Sequence, residues 1–521
     1  MTDARLQKDT SLTVGVYLVL SLNQKLLGEG IARLLAITIE KLGKRGTRFV
    51  IFALPWSVHE IEDYLTEYGI HDYVTVDYFP HKTPLIFALW KRLIQRKTAQ
   101  KTDIHRRDNW SRWEESLLAQ HPFLALICGL VIKTVQYLAR LIGYVPGKIL
   151  SWFCKRFKGQ LTQVRQRYYE IVSEQYATAL AERLSCSAVD CAYVPDLASP
   201  YAKHITKPMV VSFPDYVTRE YPELFDRTWM YLARRNAMAV LARAAATVSF
   251  CEYVRRHHAV EYCLVPQERA FLIHHGPFPV DSYIHDSEGK LLSPASCAGL
   301  LHDYVVQRYN RENFSHEFDA YYAMALPQWD FMAQRYIMLS TQNRPYKNVL
   351  RVIRAVHLLN RKDGLNLKII MTGAPTEEIA RYIHKHYLYE DVIAITRVSE
   401  KIHSALFRCA ALAIQPSLFE GGFTATLSQA VSVGVPVLLS RMHAHIERLP
   451  YEGNEETYFA PQSTRELAKK ILWALENRTE LLMKQEKIYH QLAQRSWDNV
   501  ADDYDRVFRF AIQNQRDVIT A

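Results

Sequence analysis

Cysteine is scarce and scattered in this 521-residue chain: there are eight, none in a C-x-x-C pair. No Cys/His cluster falls at metal-ligand spacing, so neither a zinc module nor a disulfide scaffold is expected. Cys186 and Cys191, the nearest neighbours, read as buried thiols in a reducing, cytosolic compartment. Apolar runs long enough to cross a bilayer are also missing. Met1–Ser11 is polar and lacks the apolar core of a signal peptide. The uninterrupted apolar run Pro122–Ile132 is too short to span. No low-complexity tract interrupts the chain, and no nucleic-acid recognition module is visible. An Asp-x-Asp at a strand end is absent too, since Asp503-Tyr504-Asp505 sits in a helical pattern.

What is present is an ordinary globular composition, 49% hydrophobic and 23% charged, with a formal charge of +10. Its length suits two or three domains. The charge is concentrated. Residues 91–170 carry 16 Lys and Arg against 5 Asp and Glu, a net +11, so the rest of the chain is close to neutral. In this block the cations interleave with bulky apolar residues. Ile149, Trp152, Phe153 and Phe157 fall at helical spacing beside Lys148, Lys155, Arg156 and Lys158. That pattern suits a helix lying in an anionic membrane surface. Lys133 and Arg140 argue against a span through Pro122–Gly143, because each costs roughly 2.5–3.5 kcal/mol at a bilayer centre. A helical insertion packed on its own domain is the other reading of the block.

Elsewhere short apolar strands alternate with helical patterns, the mark of a doubly wound parallel sheet. Leu12–Leu20 reads as a strand, Gly28-Glu29-Gly30 as a Gly-rich turn, and Ile31–Leu42 as a helix. Arg48–Ala53 is the next strand, followed by a helix at Val58–Tyr68 with Ser57 placed to cap it. Ala188–Val194, Met209–Phe213 and Ala246–Phe250 continue the first set. A helix is expected from Glu252, and Ile273-His274-His275-Gly276 as its closing strand. The polar, Tyr-rich span Asp286–Gln328 reads as the hinge. A second set follows: strand Tyr336–Ser340, helix Val349–Leu359, strand Leu367–Thr372, strand Val392–Ile395 and helix Glu400–Cys409.

The densest signal is QPSLFEGGFTATLSQAVSVGVPVLLS, residues 415–440. It reads as strand Ala411–Ile414, a Gly-rich loop, helix Thr424–Ser432 stopped at Gly434 before Pro436, and strand Pro436–Ser440. The loop Glu420–Gly421–Gly422–Phe423 therefore lies at a strand's carboxyl end, where open α/β sheets bind ligands. One carboxylate beside bare amides suits a polyol joined to phosphate. In the second set's first loop, Arg344 and Lys347 lie at another strand end and suit a diphosphate clamp.

These residues resemble the donor-site signature of retaining glycosyltransferases of family 4, whose usual form is PSLYEGFG…LEA…G.P. Glu420 takes the place of the first glutamate, and Ala430…Gly434-Val435-Pro436 matches the tail. The loop is one residue longer than usual, and Gln429 stands where the second glutamate aligns. Arg344 and Lys347 resemble the family's pair on the donor's two phosphates. Gly373 resembles its strand-end glycine near the nucleotide, and Gly28 and Gly30 its first Gly-rich turn. In VSFPDYVTREYPELF, Asp215 matches the acid of the family's "HD" loop, with Pro214 in place of the histidine. Ser496-Trp497 resembles the "SW" of its last helix.

The resemblance implies the GT-B fold: two Rossmann-like α/β domains facing a cleft, at 1–330 and 331–490, with a basic helical insertion at about 85–180. A final helix at 491–521 is expected to cross back to the first domain. The implied activity is transfer, with retention, from a nucleotide sugar (UDP- or GDP-linked), without a metal or other cofactor. The expected catalytic residues are Glu420, Arg344, Lys347 and Asp215. The expected donor contacts are Gly373, Gly421, Gly422, Phe423, Thr424, Gln429, Gly28 and Gly30. The acceptor is expected to be lipid-linked or a polysaccharide, at the inner face of the plasma membrane. A soluble transferase for a small acceptor, and a membrane-docked scaffold without catalysis, are the alternatives.

Overall fold

The computed structural model describes residues 11–20, 26, 30–79, 174–197, 199–309, 322 and 325–520. The chain forms two compact units, residues 1–195 with 201–207, and residues 196–200 with 208–521. The whole basic block, residues 91–170, lies outside the described residues, and so does Gly28.

In the first unit β1 (Thr13–Leu18) pairs in parallel with β2 (Arg48–Ala53) on one side and β4 (Cys191–Val194) on the other. β2 also pairs with β3 (Val74–Tyr78). Helices Gly30–Gly43 and Val58–Tyr68 connect them. The end of the expected insertion appears as a helix over residues 174–185, and its Ala177 carbonyl accepts the Tyr17 hydroxyl at 2.6 Å. Ser57 does not cap its helix: its hydroxyl turns back and donates to the Leu54 carbonyl at 2.7 Å. Gly69, in the left-handed region at φ 61°, stops that helix.

The second unit holds two parallel sets. β5 (Met209–Ser212), β6 (Ala246–Ser249) and β7 (Ala270–Leu272) pair in that order. The closing strand falls three residues earlier than expected, so His274 and His275 follow it. The helix expected from Glu252 begins there and widens into a π-helical run over Val254–Tyr262. Within the expected hinge lies a helix, Pro294–Tyr309, whose Cys297, Leu301 and Val305 join the main core. The final helix Trp497–Thr520 packs against β5 and β6.

The second sheet is parallel throughout, in the order β10-β9-β8-β11-β12-β13. These strands are β8 (Tyr336–Leu339), β9 (Lys368–Met371), β10 (Val392–Ala394), β11 (Leu412–Gln415), β12 (Val437–Ser440) and β13 (Tyr458–Phe459). Every one of their residues is buried, as expected of strands covered on both faces. The chain winds outward from β8 to β10, then returns to place β11 on the other side of β8. That reversal opens a crevice beyond the carboxyl ends of β8 and β11. Ser399 and Thr376 cap the helices Glu400–Arg408 and Glu377–His386 through their hydroxyls, as their place before each helix dictates.

Candidate active site

Two loops meet at this crevice, and backbone geometry joins them. After β8 the chain makes a short turn, Pro345–Lys347, and Asn348 takes the left-handed conformation at φ 56°. Asparagine tolerates that region better than most residues. Its amide donates to the carbonyls of Pro416 (3.0 Å) and Pro461 (2.8 Å), holding the β8 loop against the ends of β11 and β13. Leu418 N–H donates to the Tyr346 carbonyl at 2.8 Å.

These ties bring Lys347 onto Glu420. Lys347 Nζ stands 2.6 Å from Oε1 and 2.8 Å from Oε2, with both side chains about one-sixth exposed. Glu420 Oε1 also accepts from Ser417 Oγ (2.5 Å) and Gln415 Nε2 (3.1 Å). Gln415 Oε1 in turn accepts from Thr426 Oγ1 at 2.7 Å. The carboxylate is thus held from three sides. Burial alone would lower the Lys347 ammonium, but Glu420, with Tyr346 and Asp215, outweighs it and the pKa rises. Lys347 therefore stays cationic.

Arg344 is exposed on the same loop, with Nη1 3.1 Å from the Tyr346 hydroxyl. Asp215 lies close enough to feel all three charges. Burial pushes its carboxyl up, Glu420 adds to the rise, and the Val217 N–H, Lys347 and Arg344 oppose it. The four expected catalytic residues therefore share one electrostatic neighbourhood.

The two loop glycines answer to close approach. A Cβ on Gly421 would lie 1.6 Å from the Pro214 carbonyl oxygen, and one on Gly422 would lie 2.9 Å from Phe250 Cβ. Gly422 also bridges Phe250 in parallel register. Only glycines let the Glu420 loop press against the segments after β5 and β6. Gly373 serves the same need after β9: a Cβ there would lie 2.6 Å from the Thr341 carbonyl oxygen. Asn343 Nδ2 closes that turn by donating to the carbonyls of Gly373 (2.9 Å) and Ala374 (2.7 Å).

The helix after the loop starts at Thr426, two residues later than expected. Thr424, ahead of that helix, has its Oγ1 2.9 Å from His445 Nε2 across the sheet end. Phe423 stands edge-on to the same imidazole, 5.5 Å between centroids. Gln429 is buried in the helix Thr426–Ser432. Gly30 opens the helix Gly30–Gly43, with nothing within 4 Å of a Cβ built there.

Several residues of the cluster have no role that the sequence assigns. Gln415 and Ser417 lie inside the 415–440 stretch and shape Glu420. Phe419 stacks on His258 at 5.3 Å, and Tyr221 donates to the Leu418 carbonyl at 3.2 Å. His258 accepts the Tyr216 N–H on Nδ1, so its Nε2 carries the hydrogen given to Glu220 at 2.8 Å. Among the described residues, no group of three or more His, Cys, Asp and Glu side chains is placed to hold a metal. A cavity of about 390 Å³ is lined by His274, Glu447, Arg448 and Asn454, with none of the expected site residues.

Residues 329–493 match the family described as Glycosyl transferases group 1. No curated protein matches the chain in sequence. Solved structures share the fold at low identity. An Anabaena protein, Alr3699/HepE, solved in complex with UDP and glucose, is 14% identical with a TM-score of 0.54, covering 96% of this chain and 100% of its own. A glycosyltransferase from Rickettsia africae is 12% identical with a TM-score of 0.51, covering 97% and 100%. The Candida albicans trehalose-6-phosphate phosphatase N-terminal domain is 12% identical with a TM-score of 0.54, covering 97% and 98%. The fold is thus α/β with two parallel Rossmann-like sheets, of the GT-B type.

Proposed function

We propose that this chain is a retaining glycosyltransferase that moves a sugar from a nucleotide-sugar donor to a lipid-linked or polysaccharide acceptor at the cytoplasmic membrane face. The observation that carries the reading is Lys347 seated on Glu420 where the strand order reverses, with Asp215 and Arg344 in the same field. The family match over this domain, and a fold shared with a protein solved with UDP and glucose, support it.

In this reading Lys347 and Arg344 take up the charge that develops on the departing diphosphate. The loop amides near Gly421–Thr424 add to them, so no metal is called for. Glu420 accepts from sugar hydroxyls and fixes the ring. The donor must share Lys347 with Glu420, so binding replaces one charge-assisted contact by another. The bond from the anomeric carbon to the diphosphate breaks as the acceptor oxygen attacks the same face. The acceptor's proton passes to a leaving-group oxygen. The membrane assignment rests on the basic block of the sequence. Among the described residues no helix is long and apolar enough to cross a membrane.

Thermal shift against a panel of UDP- and GDP-sugars tests the donor. One of them should raise the melting temperature, and a panel that leaves it unmoved would sink the reading. Sedimentation with anionic vesicles tests the membrane part separately: a protein left in the supernatant would favour a small soluble acceptor.

A further inference from the structure

His445 lies outside the sequence motif, on the helix His443–Arg448 that follows β12. Its side chain is fully buried. Nδ1 stands 2.8 Å from the Ser440 carbonyl, which can only accept, so Nδ1 carries the hydrogen. In the neutral ring Nε2 is then a bare acceptor, and the Thr424 hydroxyl at 2.9 Å must donate to it. Both ring nitrogens are used, and the Thr424 rotor is fixed.

The end of β12 supports the loop at a second point. Ser440 gives its hydroxyl to the Ser417 carbonyl at 2.6 Å, and Ser417 gives its own to Glu420 at 2.5 Å. One strand end thus holds Glu420 through Ser417 and Thr424 through His445, the two ends of the Glu420–Thr424 loop. A residue that only filled space here would need no imidazole, since a leucine could occupy the volume without two buried polar atoms to satisfy.

We infer that His445 is a positioning residue for the proposed transfer, holding the Thr424 hydroxyl and thereby setting the Glu420–Thr424 loop against the donor. This rests on the reading under Proposed function. Burial holds the imidazole pKa down to about 4, against smaller upward pulls from the Ser440 carbonyl and Glu420, which keeps Nε2 an acceptor at neutral pH.

The test is a double-mutant cycle with His445→Leu and Thr424→Val, read as kcat and donor KM. The donor is whichever of UDP-glucose and GDP-mannose the native protein turns over. Each single change should lower kcat about ten- to hundredfold, as loss of near-attack geometry does. The double variant should lose no more than the worse single, because both break one contact. His445→Gln, whose carboxamide can still accept from Thr424, should recover part of kcat. Losses that multiply in the double variant, or unchanged kcat and KM in His445→Leu, would overturn the inference while leaving the transferase reading intact. A native protein that neither binds nor turns over either donor would overturn both.

Discussion

Replacing Gly421 by alanine asks whether the Glu420 loop must press against Pro214 for the site to exist. The added Cβ would sit 1.6 Å from the Pro214 carbonyl oxygen and 2.6 Å from its carbonyl carbon, where real Cβ contacts essentially never fall below 3.0 Å. Neither atom belongs to a flexible side chain, so backbone must yield by roughly 1.4 Å. Overpacking of this kind costs about 1–3 kcal/mol. In a unit of this size that lowers the melting temperature by several degrees, at roughly 2–4 °C per kcal/mol. Activity should suffer more. Glu420 is the adjacent residue, with its carboxylate 2.6 Å from Lys347 Nζ. A displacement near 1 Å costs about a hundredfold in rate. The other glycines supply a graded series. Gly373→Ala meets backbone at 2.6 Å, Gly422→Ala meets Phe250 Cβ at 2.9 Å, and Gly30→Ala meets nothing within 4 Å. Melting temperature and donor turnover should therefore fall in the order Gly30→Ala least, then Gly422→Ala, Gly373→Ala and Gly421→Ala most. A Gly421→Ala protein that melts and turns over like Gly30→Ala would refute the close-approach argument.

Three further outcomes follow from the same structure. The His445 imidazole, fully buried and held to about 4, resists protonation in the folded state while the unfolded chain protonates near 6.5. The stability it contributes is present above 6.5 and declines as pH falls toward 4, by about 2 kcal/mol at pH 5. Urea unfolding at pH 7 and 5 should show a smaller loss for His445→Gln than for the native chain, and equal losses would count against the buried neutral ring. Lys347→Met should destabilise the second unit by stranding a largely buried carboxylate, and the double variant Lys347→Met/Glu420→Gln should recover most of the melting temperature without recovering transfer. Removing the Ser399 hydroxyl, which accepts from Ile402 N–H, should cost about 1 kcal/mol with kcat unchanged, and a loss of turnover would show that this helix is tied to the chemistry.

The second sheet was legible because its strands are continuous apolar runs and its turns carry Gly, Pro and Asn. Tyr336–Ser340, Leu367–Thr372 and Val392–Ile395 were read to within one or two residues. The pairing of Lys347 with Glu420 was legible only as two strand-end loops. It took the strand order, with β8 beside β11, to show that they share one crevice. Ser57 misled because a hydroxyl before a helix can equally bond backward to its own turn. The π-helical widening at Val254–Tyr262 is not legible in the sequence because apolar periodicity barely separates it from an α-helix. In the sequence the loop glycines signal amides open to a ligand. Their other constraint, the approach of Pro214 and Phe250, depends on segments some 170–210 residues away that no local pattern encodes. His445 was missed for the same reason, since its partners Thr424 and Ser440 meet it only once β11 and β12 lie side by side.

Lys347 is the cation proposed to meet the departing diphosphate. The most direct measurement is the single-turnover rate of sugar transfer, at saturating donor, for the native chain and for Lys347→Ala. A loss of about a hundredfold or more, with the protein still folded below its melting temperature, is the predicted result. A rate equal to that of the native chain would contradict it.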